Sequence, residues 1–134
     1  MVYVIEGKPV PLQRARFARD HCWDAQKALK CSIAISLERQ HRDFPLLSGP
    51  LKLNITFYFA EPVKKRHKLK QPVTECHALR SHITKPDLSN LIKFVEDVAT
   101  GIIYSDDAII AEIHAYKCYD NPARTEFELV PLER

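Results

Sequence analysis

Leu51-Lys52-Leu53-Asn54-Ile55-Thr56-Phe57-Tyr58-Phe59 is the stretch that decides the fold. Apolar and polar residues alternate through all of it, the period of a strand with one wet face and one dry face. Leu51, Leu53, Ile55, Phe57 and Phe59 belong to the dry face, and Lys52, Asn54, Thr56 and Tyr58 to the other. Such a strand implies a sheet whose apolar side is covered by helices.

The covering helices lie on either side in the chain. Residues 22–41 predict a helix, because Ala25, Leu29, Ile33 and Leu37 recur every four positions with Ala28 beside them. Residues 88–100 predict a second, with Leu88, Leu91, Ile92, Val95, Val98 and Ala99 as its apolar stripe. Asp87 occupies its N-cap position after Pro86, and Gly101 suits its C-terminal end. Residues 2–6, 109–118 and 125–130 alternate as further strands, while residues 43–50 hold two prolines and a glycine and read as a loop. Arg14, Arg16 and Arg19 fall in an irregular basic stretch, and residues 60–85 have no periodicity at all. A 26-residue gap of that kind reads as a basic, mobile or functional loop. The expected fold is α+β: one domain over residues 1–134, a small mixed sheet with two main helices packed on one face.

The chain has 134 residues, 46% apolar and 28% charged, which suits a globular domain and argues against wholesale disorder. No apolar run of 18 residues exists, so no membrane span is expected. Met1-Val2-Tyr3-Val4-Ile5-Glu6 lacks the basic region and long apolar stretch of a signal peptide. Cys22, Cys31, Cys76 and Cys118 form no Cys-x-x-Cys pair. They read as free thiols in a reducing, cytoplasmic setting. The net charge of +3 is unevenly spread: +4 over residues 1–59, +5 over 60–85 and −6 over 86–134. A basic centre against an acidic end can hold a cation against a phosphate, or can be two ordinary solvated faces.

Candidate chemistry sits in the acidic third. Asp87 opens the second helix, and Asp106-Asp107 lies in the turn after it. That helix is about 20 Å long, so the two sites meet only if residues 102–107 double back along it, 102–104 packing as a strand. Ser89, Lys93, Glu96 and Asp97 share its polar face, either as a solvated stripe or as part of a site. Carboxylates here would suit Mg2+, which takes hard oxygen ligands and can activate water and polarise a phosphodiester. Lys93 would add a point charge for the phosphate. The run Lys64-Lys65-Arg66-His67-Lys68-Leu69-Lys70 suits contact with a DNA backbone, or is a solvated charge run. Cys76, His77, His82 and His67 offer a weaker zinc reading, with no second pair at finger spacing. Ser105 lacks the Gly-x-Ser-x-Gly setting of a hydrolase nucleophile, and three glycines leave no phosphate-cradling loop.

Lys85-Pro86-Asp87-Leu88-Ser89-Asn90-Leu91-Ile92-Lys93-Phe94-Val95-Glu96-Asp97, followed by Gly101-Ile102-Ile103-Tyr104-Ser105-Asp106-Asp107, resembles the RusA family of Holliday junction resolvases, often carried by prophages. Gly7-Lys8-Pro9-Val10-Pro11 is weakly similar to family N-termini. The resemblance implies a homodimeric, Mg2+-dependent endodeoxyribonuclease, with Mn2+ an alternative ion, that resolves four-way DNA junctions by paired symmetric nicks in recombination and repair. Carried over by position, Asp87 is the first metal carboxylate, Asp107 the last, and Lys93 the essential helix lysine. Asp106 joins the metal site, and Asp106 and Asp97 match acidic positions of less defined role. Where the family has a second aspartate, this chain has Ser89. The catalytic expectation is therefore Asp87, Lys93 and Asp107, with metal on Asp87, Asp107 and Asp106. DNA contacts are expected from Arg14, Arg16, Lys64, Lys65, Arg66, Lys68, Lys70, Arg80 and Lys85. The alternative is a non-catalytic branched-DNA binder on the same scaffold.

Overall fold

The computed structural model describes residues 1–13, 16–18, 21–62 and 79–132, with backbone alone at 16–18, 21 and 22. In chain order the elements are β1 (Val2–Glu6), β2 (Arg16–Ala18), β3 (His21–Trp23), α1 (Lys27–Gln40), β4 (Leu51–Phe59), α2 (Leu88–Ala99), β5 (Ile110–Tyr119) and β6 (Arg124–Pro131). A 3-10 turn over Asp107–Ile109 leads into β5. The main sheet has the order β1-β6-β4-β5. β4 pairs antiparallel with β6 and parallel with β5, so the sheet is mixed as expected.

β4 behaves as its alternation requires. Leu51, Leu53, Ile55, Phe57 and Phe59 are all buried, and the residues between them are half-buried. Thr125, Phe127 and Leu129 of β6 face the same way. Onto this face α2 places Leu91, Phe94, Val95, Val98 and Ala99, and α1 places Leu37. Removing Phe57, at the centre of this core, as in Phe57→Ala, would cost about 3–5 kcal/mol in lost contact and cavity. The opposite face stays polar: Asn54 donates to Glu128 at 3.1 Å, and the Arg124 guanidinium lies 3.9 Å from the Tyr58 ring centre.

Three local expectations are corrected. The first helix begins at Lys27, not residue 22, because residues 21–23 pair with 16–18 as an antiparallel ribbon where an irregular stretch was expected. Asp24 then turns the chain, its carboxylate accepting from the Gln26 N–H at 2.8 Å. The four-residue stripe of α1 also drifts off the core: only Leu37 is fully buried, and Leu29 is exposed. Finally, residues 102–104 form no strand along α2. Gly101 takes φ +82°, its N–H donates to the Tyr104 carbonyl at 2.8 Å, and the chain makes a tight turn with Ile103 buried beneath it.

The N-terminal segment is tied to α2. Leu12 N–H donates to the Asn90 carbonyl at 2.9 Å, and the Gln26 side chain bonds Gln13 N–H at 2.9 Å and the Pro11 carbonyl at 2.8 Å. The β2–β3 ribbon therefore leaves the body beside the first turn of α2, where Asp87 stands.

Candidate active site

Asp87 has the extended backbone of a helix N-cap, φ −67° and ψ 140°, yet its side chain makes no capping bond. The carboxylate instead meets Lys85 at 3.3 Å, both groups largely exposed. Below it, Lys117 of β5 donates to the Thr84 carbonyl at 2.9 Å and the Pro86 carbonyl at 2.7 Å, fixing the start of α2 to the end of β5. Those contacts join residues more than thirty positions apart, and no local signal could have announced them.

Asp106 and Asp107 lie at the opposite end of β5. The Asp106 carboxylate accepts from Ala108 N–H at 3.2 Å. That bond and a hydrogen bond with Asp107 hold Asp106 below the usual carboxylate range. The same Asp106 bond, with some loss of hydration and the Asp106 charge, pushes the exposed Asp107 above it. Glu96, half-buried on α2, is also pushed up, first by burial and then by the Asp107 charge, with Lys93 acting against it. Among the described residues none of these three carboxylates has a lysine or arginine at ion-pair distance.

Asp106 and Asp107 thus form an acidic pair, and the charge of Asp107 reaches Glu96, with Lys93 exposed one turn earlier on α2. Glu96 was only a member of the polar stripe in the sequence, although its position one turn after Lys93 was the available signal. Asp87 is not part of this group. It precedes Glu96 by nine residues, about 13 Å along the helix. Within one chain the expected pairing of Asp87 with Asp107 at a common ion is not formed. Among the described residues no three Asp, Glu, His or Cys side chains enclose an ion site. The Asp106–Asp107 pair nevertheless has the donor chemistry of a hydrated hard cation, held by one or two carboxylates with the remaining positions open.

The other candidates separate clearly. Asp97 bonds Lys30 of α1 at 2.9 Å. Ser89 is exposed in the first turn of α2. Arg80 is engaged, with Glu61 at 2.9 Å and the Tyr119 ring 4.2 Å from its guanidinium, so it is anchored to the body rather than presented to a ligand. Lys85 is exposed. Arg16 lies on β2, its side chain undescribed, and Arg14, Lys64, Lys65, Arg66, Lys68 and Lys70 fall outside the described residues. So do His67, Cys76 and His77 of the zinc reading. His82 stacks on Phe59 and meets Tyr119 at a tilt, ring centres 3.9 and 5.1 Å away.

A sequence profile described as Endodeoxyribonuclease RusA matches residues 6–130. The chain belongs to the RusA endodeoxyribonuclease family. Among its relatives is the uncharacterized protein YqaN of Bacillus subtilis (strain 168), 26% identical over 129 residues, covering 92% of this chain and 91% of YqaN. Another is the crossover junction endodeoxyribonuclease rusA of Lactococcus phage r1t, 36% identical over 84 residues, 62% of this chain and 56% of the phage protein. Membership of the RusA family makes the chain a nuclease. No helix among the described residues is long and apolar enough to cross a membrane.

Proposed function

We propose that this RusA-family chain is a Mg2+-dependent Holliday junction resolvase that acts in the cytoplasm as a homodimer, making paired symmetric nicks in four-way DNA. The observation that carries the reading is the pair of adjacent, exposed carboxylates Asp106 and Asp107 in the turn that follows α2, inside the stretch that the family profile matches. The phage relative, named a crossover junction endodeoxyribonuclease, supports branched DNA as the substrate.

Asp106 and Asp107 would hold a divalent ion, Mg2+ or Mn2+, whose chemistry there would be to activate water and neutralise charge on the phosphate. The chain's own groups do the rest. Asp106 and Asp107 offer the oxygen ligands. Lys93, exposed one turn before Glu96 on α2, would supply a point charge for the phosphoryl oxygens. Asp87, also carried over from the family motif, lies at the far end of α2, and a second copy is what can bring an Asp87 to an Asp107. Lys85, Arg14, Arg16 and the basic residues 64–70 are the proposed contacts to the DNA arms, an attraction that weakens as salt rises.

The alternative, a branched-DNA binder that does not cut, is kept alive by Ser89, which leaves the first turn of α2 one carboxylate short. Cleavage of a labelled four-way junction with millimolar Mg2+, beside a linear duplex of the same sequence and an Asp87→Asn control, decides between them. Paired nicks near the crossover that vanish in the control support the resolvase. Tight junction binding with no nicks leaves only the binder.

A further inference from the structure

β5 carries a lysine where its alternation calls for an apolar residue. Ile113, Ala115 and Lys117 share one side of the strand, and Lys117 lies opposite the buried Phe57 in register. Its side chain therefore starts on the face that the helices cover, and the residue is half-buried. Lysine is kept off such a face unless its ammonium finds partners. Here the partners are main-chain oxygens, the Thr84 carbonyl at 2.9 Å and the Pro86 carbonyl at 2.7 Å. Among the described residues no carboxylate lies at ion-pair distance from it.

These two bonds finish a run that ties the chain before α2 to β5. Tyr119 N–H donates to the Arg80 carbonyl and His82 N–H to the Lys117 carbonyl, both at 3.0 Å. The strand's backbone thus holds residues 80–82, and one ammonium holds residues 84 and 86. The next residue is Asp87. It stands between extended chain and helix, and its carbonyl accepts the first bond of α2, from Leu91 N–H at 3.2 Å. Its carboxylate makes no capping bond and meets only the exposed Lys85. The direction of that carboxylate is therefore set by the backbone on its two sides, α2 after it and the Lys117 clamp before it.

We infer that Lys117 is a positioning residue for strand cleavage, its ammonium aiming the Asp87 carboxylate by gripping the two carbonyls just upstream. The inference rests on the reading of Asp87 as a metal carboxylate proposed above and names the group that aims it. Hydrogen bonds from an ionised donor are short and strong, and two from one ammonium fix a segment that a single bond would let swing. The gain is geometric: a displacement of about 1 Å in a reacting group costs about a hundredfold in rate. Lys117 touches neither ion nor DNA in this role.

The test uses the full chain and Lys117→Met, which keeps the stem and removes the donors, with Lys117→Gln carrying the same measurements if the first variant does not fold. Single-turnover cleavage of a four-way junction should fall roughly tenfold to a hundredfold, and half-maximal cleavage should need several-fold more Mg2+. Junction affinity should stay within about twofold and its salt dependence should not change. Lys117→Arg, which again offers a cation with several donors, should recover most of the rate. Amide exchange of the metal-free protein gives a reading apart from cleavage: Leu91 should exchange several-fold faster, while Ile55 in the middle of β4 keeps its wild-type rate. A folded Lys117→Met that cuts like wild type, or an unmoved Leu91, overturns the inference. So does faster exchange at Ile55 as well, which makes Lys117 a general structural lysine. Weaker junction binding with a salt slope shallower by about one makes it a phosphate contact instead, with the same result. A wild type that binds junctions without cutting them overturns the proposed function alone, and the Leu91 exchange then decides whether Lys117 holds the Asp87 turn.

Discussion

Lys30 on α1 and Asp97 on α2 form an ion pair between the two helices at 2.9 Å, and the same ammonium holds Asp24 at 2.6 Å. Asp97 therefore links the two helices, and the prediction is that it does not replace the carboxylate missing at Ser89. Lys30→Met should lower Tm by a few degrees while junction cleavage at a permissive temperature stays within about twofold of wild type, since surface-linked ion pairs contribute modestly. Thermal melts and cleavage rates read the two effects separately. A cleavage loss without a stability loss would return Asp97 to the site.

Asp87→Asn and Asp107→Asn should each reduce cleavage by roughly a hundredfold or more, the scale of losing a metal-assisted step, with junction binding retained. The two variants mixed should cut again. In a mixed dimer one site would join the intact Asp87 of one copy to the intact Asp107 of the other. Mixing refolded variants and scoring nicks checks this. Inert mixtures that form dimers would place both aspartates in one chain's site.

Ser89→Asp should lower the Mg2+ concentration needed for half-maximal cleavage several-fold. The added charge lies in the first turn of α2, where the helix dipole favours a carboxylate by about 0.3–1 kcal/mol, so the fold should tolerate it. A Mg2+ titration of cleavage by both proteins is the measurement.

Burial between Phe59 and Tyr119 pushes the His82 imidazole down, with the Lys117 and Lys8 charges acting the same way. The unfolded chain therefore takes up a proton near the ordinary value of 6.5 while the folded chain resists it. Stability from this group is complete above that value and is lost as pH falls through it. His82→Phe keeps the stacked ring and removes the titration. Its melts should lose less stability than wild type between about pH 7 and pH 5.

Glu96 has the opposite sign. Burial and the neighbouring Asp107 raise its carboxyl, so the folded chain holds the proton longer than the unfolded one. Its contribution is complete in acid and is lost as pH rises from 4.5 through the folded value. Glu96→Gln should raise the Tm of the metal-free protein at neutral pH and shrink the further rise on adding Mg2+. Melts with and without Mg2+ test it.

Much of this was legible in the sequence because it is local. The alternation of Leu51–Phe59 depends only on neighbours two apart, and the stripe of α2 on neighbours three and four apart. Both survived folding, with Phe94 the one core residue of α2 that the stripe had omitted. The start of α1 did not survive, because Cys22 and Trp23 answer to partners across a ribbon rather than to the helix period. The candidate site divides in the same way. The motif picked out Asp106, Asp107 and Lys93, but which acids meet depends on the turn at Gly101 and on the bonds from Lys117 to residues 84 and 86. That turn brought Glu96 to Asp107 and left Asp87 at the other end of the helix. Arg80 looked like a free cation because charge is visible in a sequence, while the ring of Tyr119 and the carboxylate of Glu61 that hold it are not.

The amide of Gln40 at Val4 blunts one margin of the sheet. A bare outer strand invites a stranger's backbone, and chains that accept it can grow into filaments. At the middle of β1 the donor and the acceptor of Val4 are already spent on the chain's own glutamine, so a newcomer would find its central rung taken.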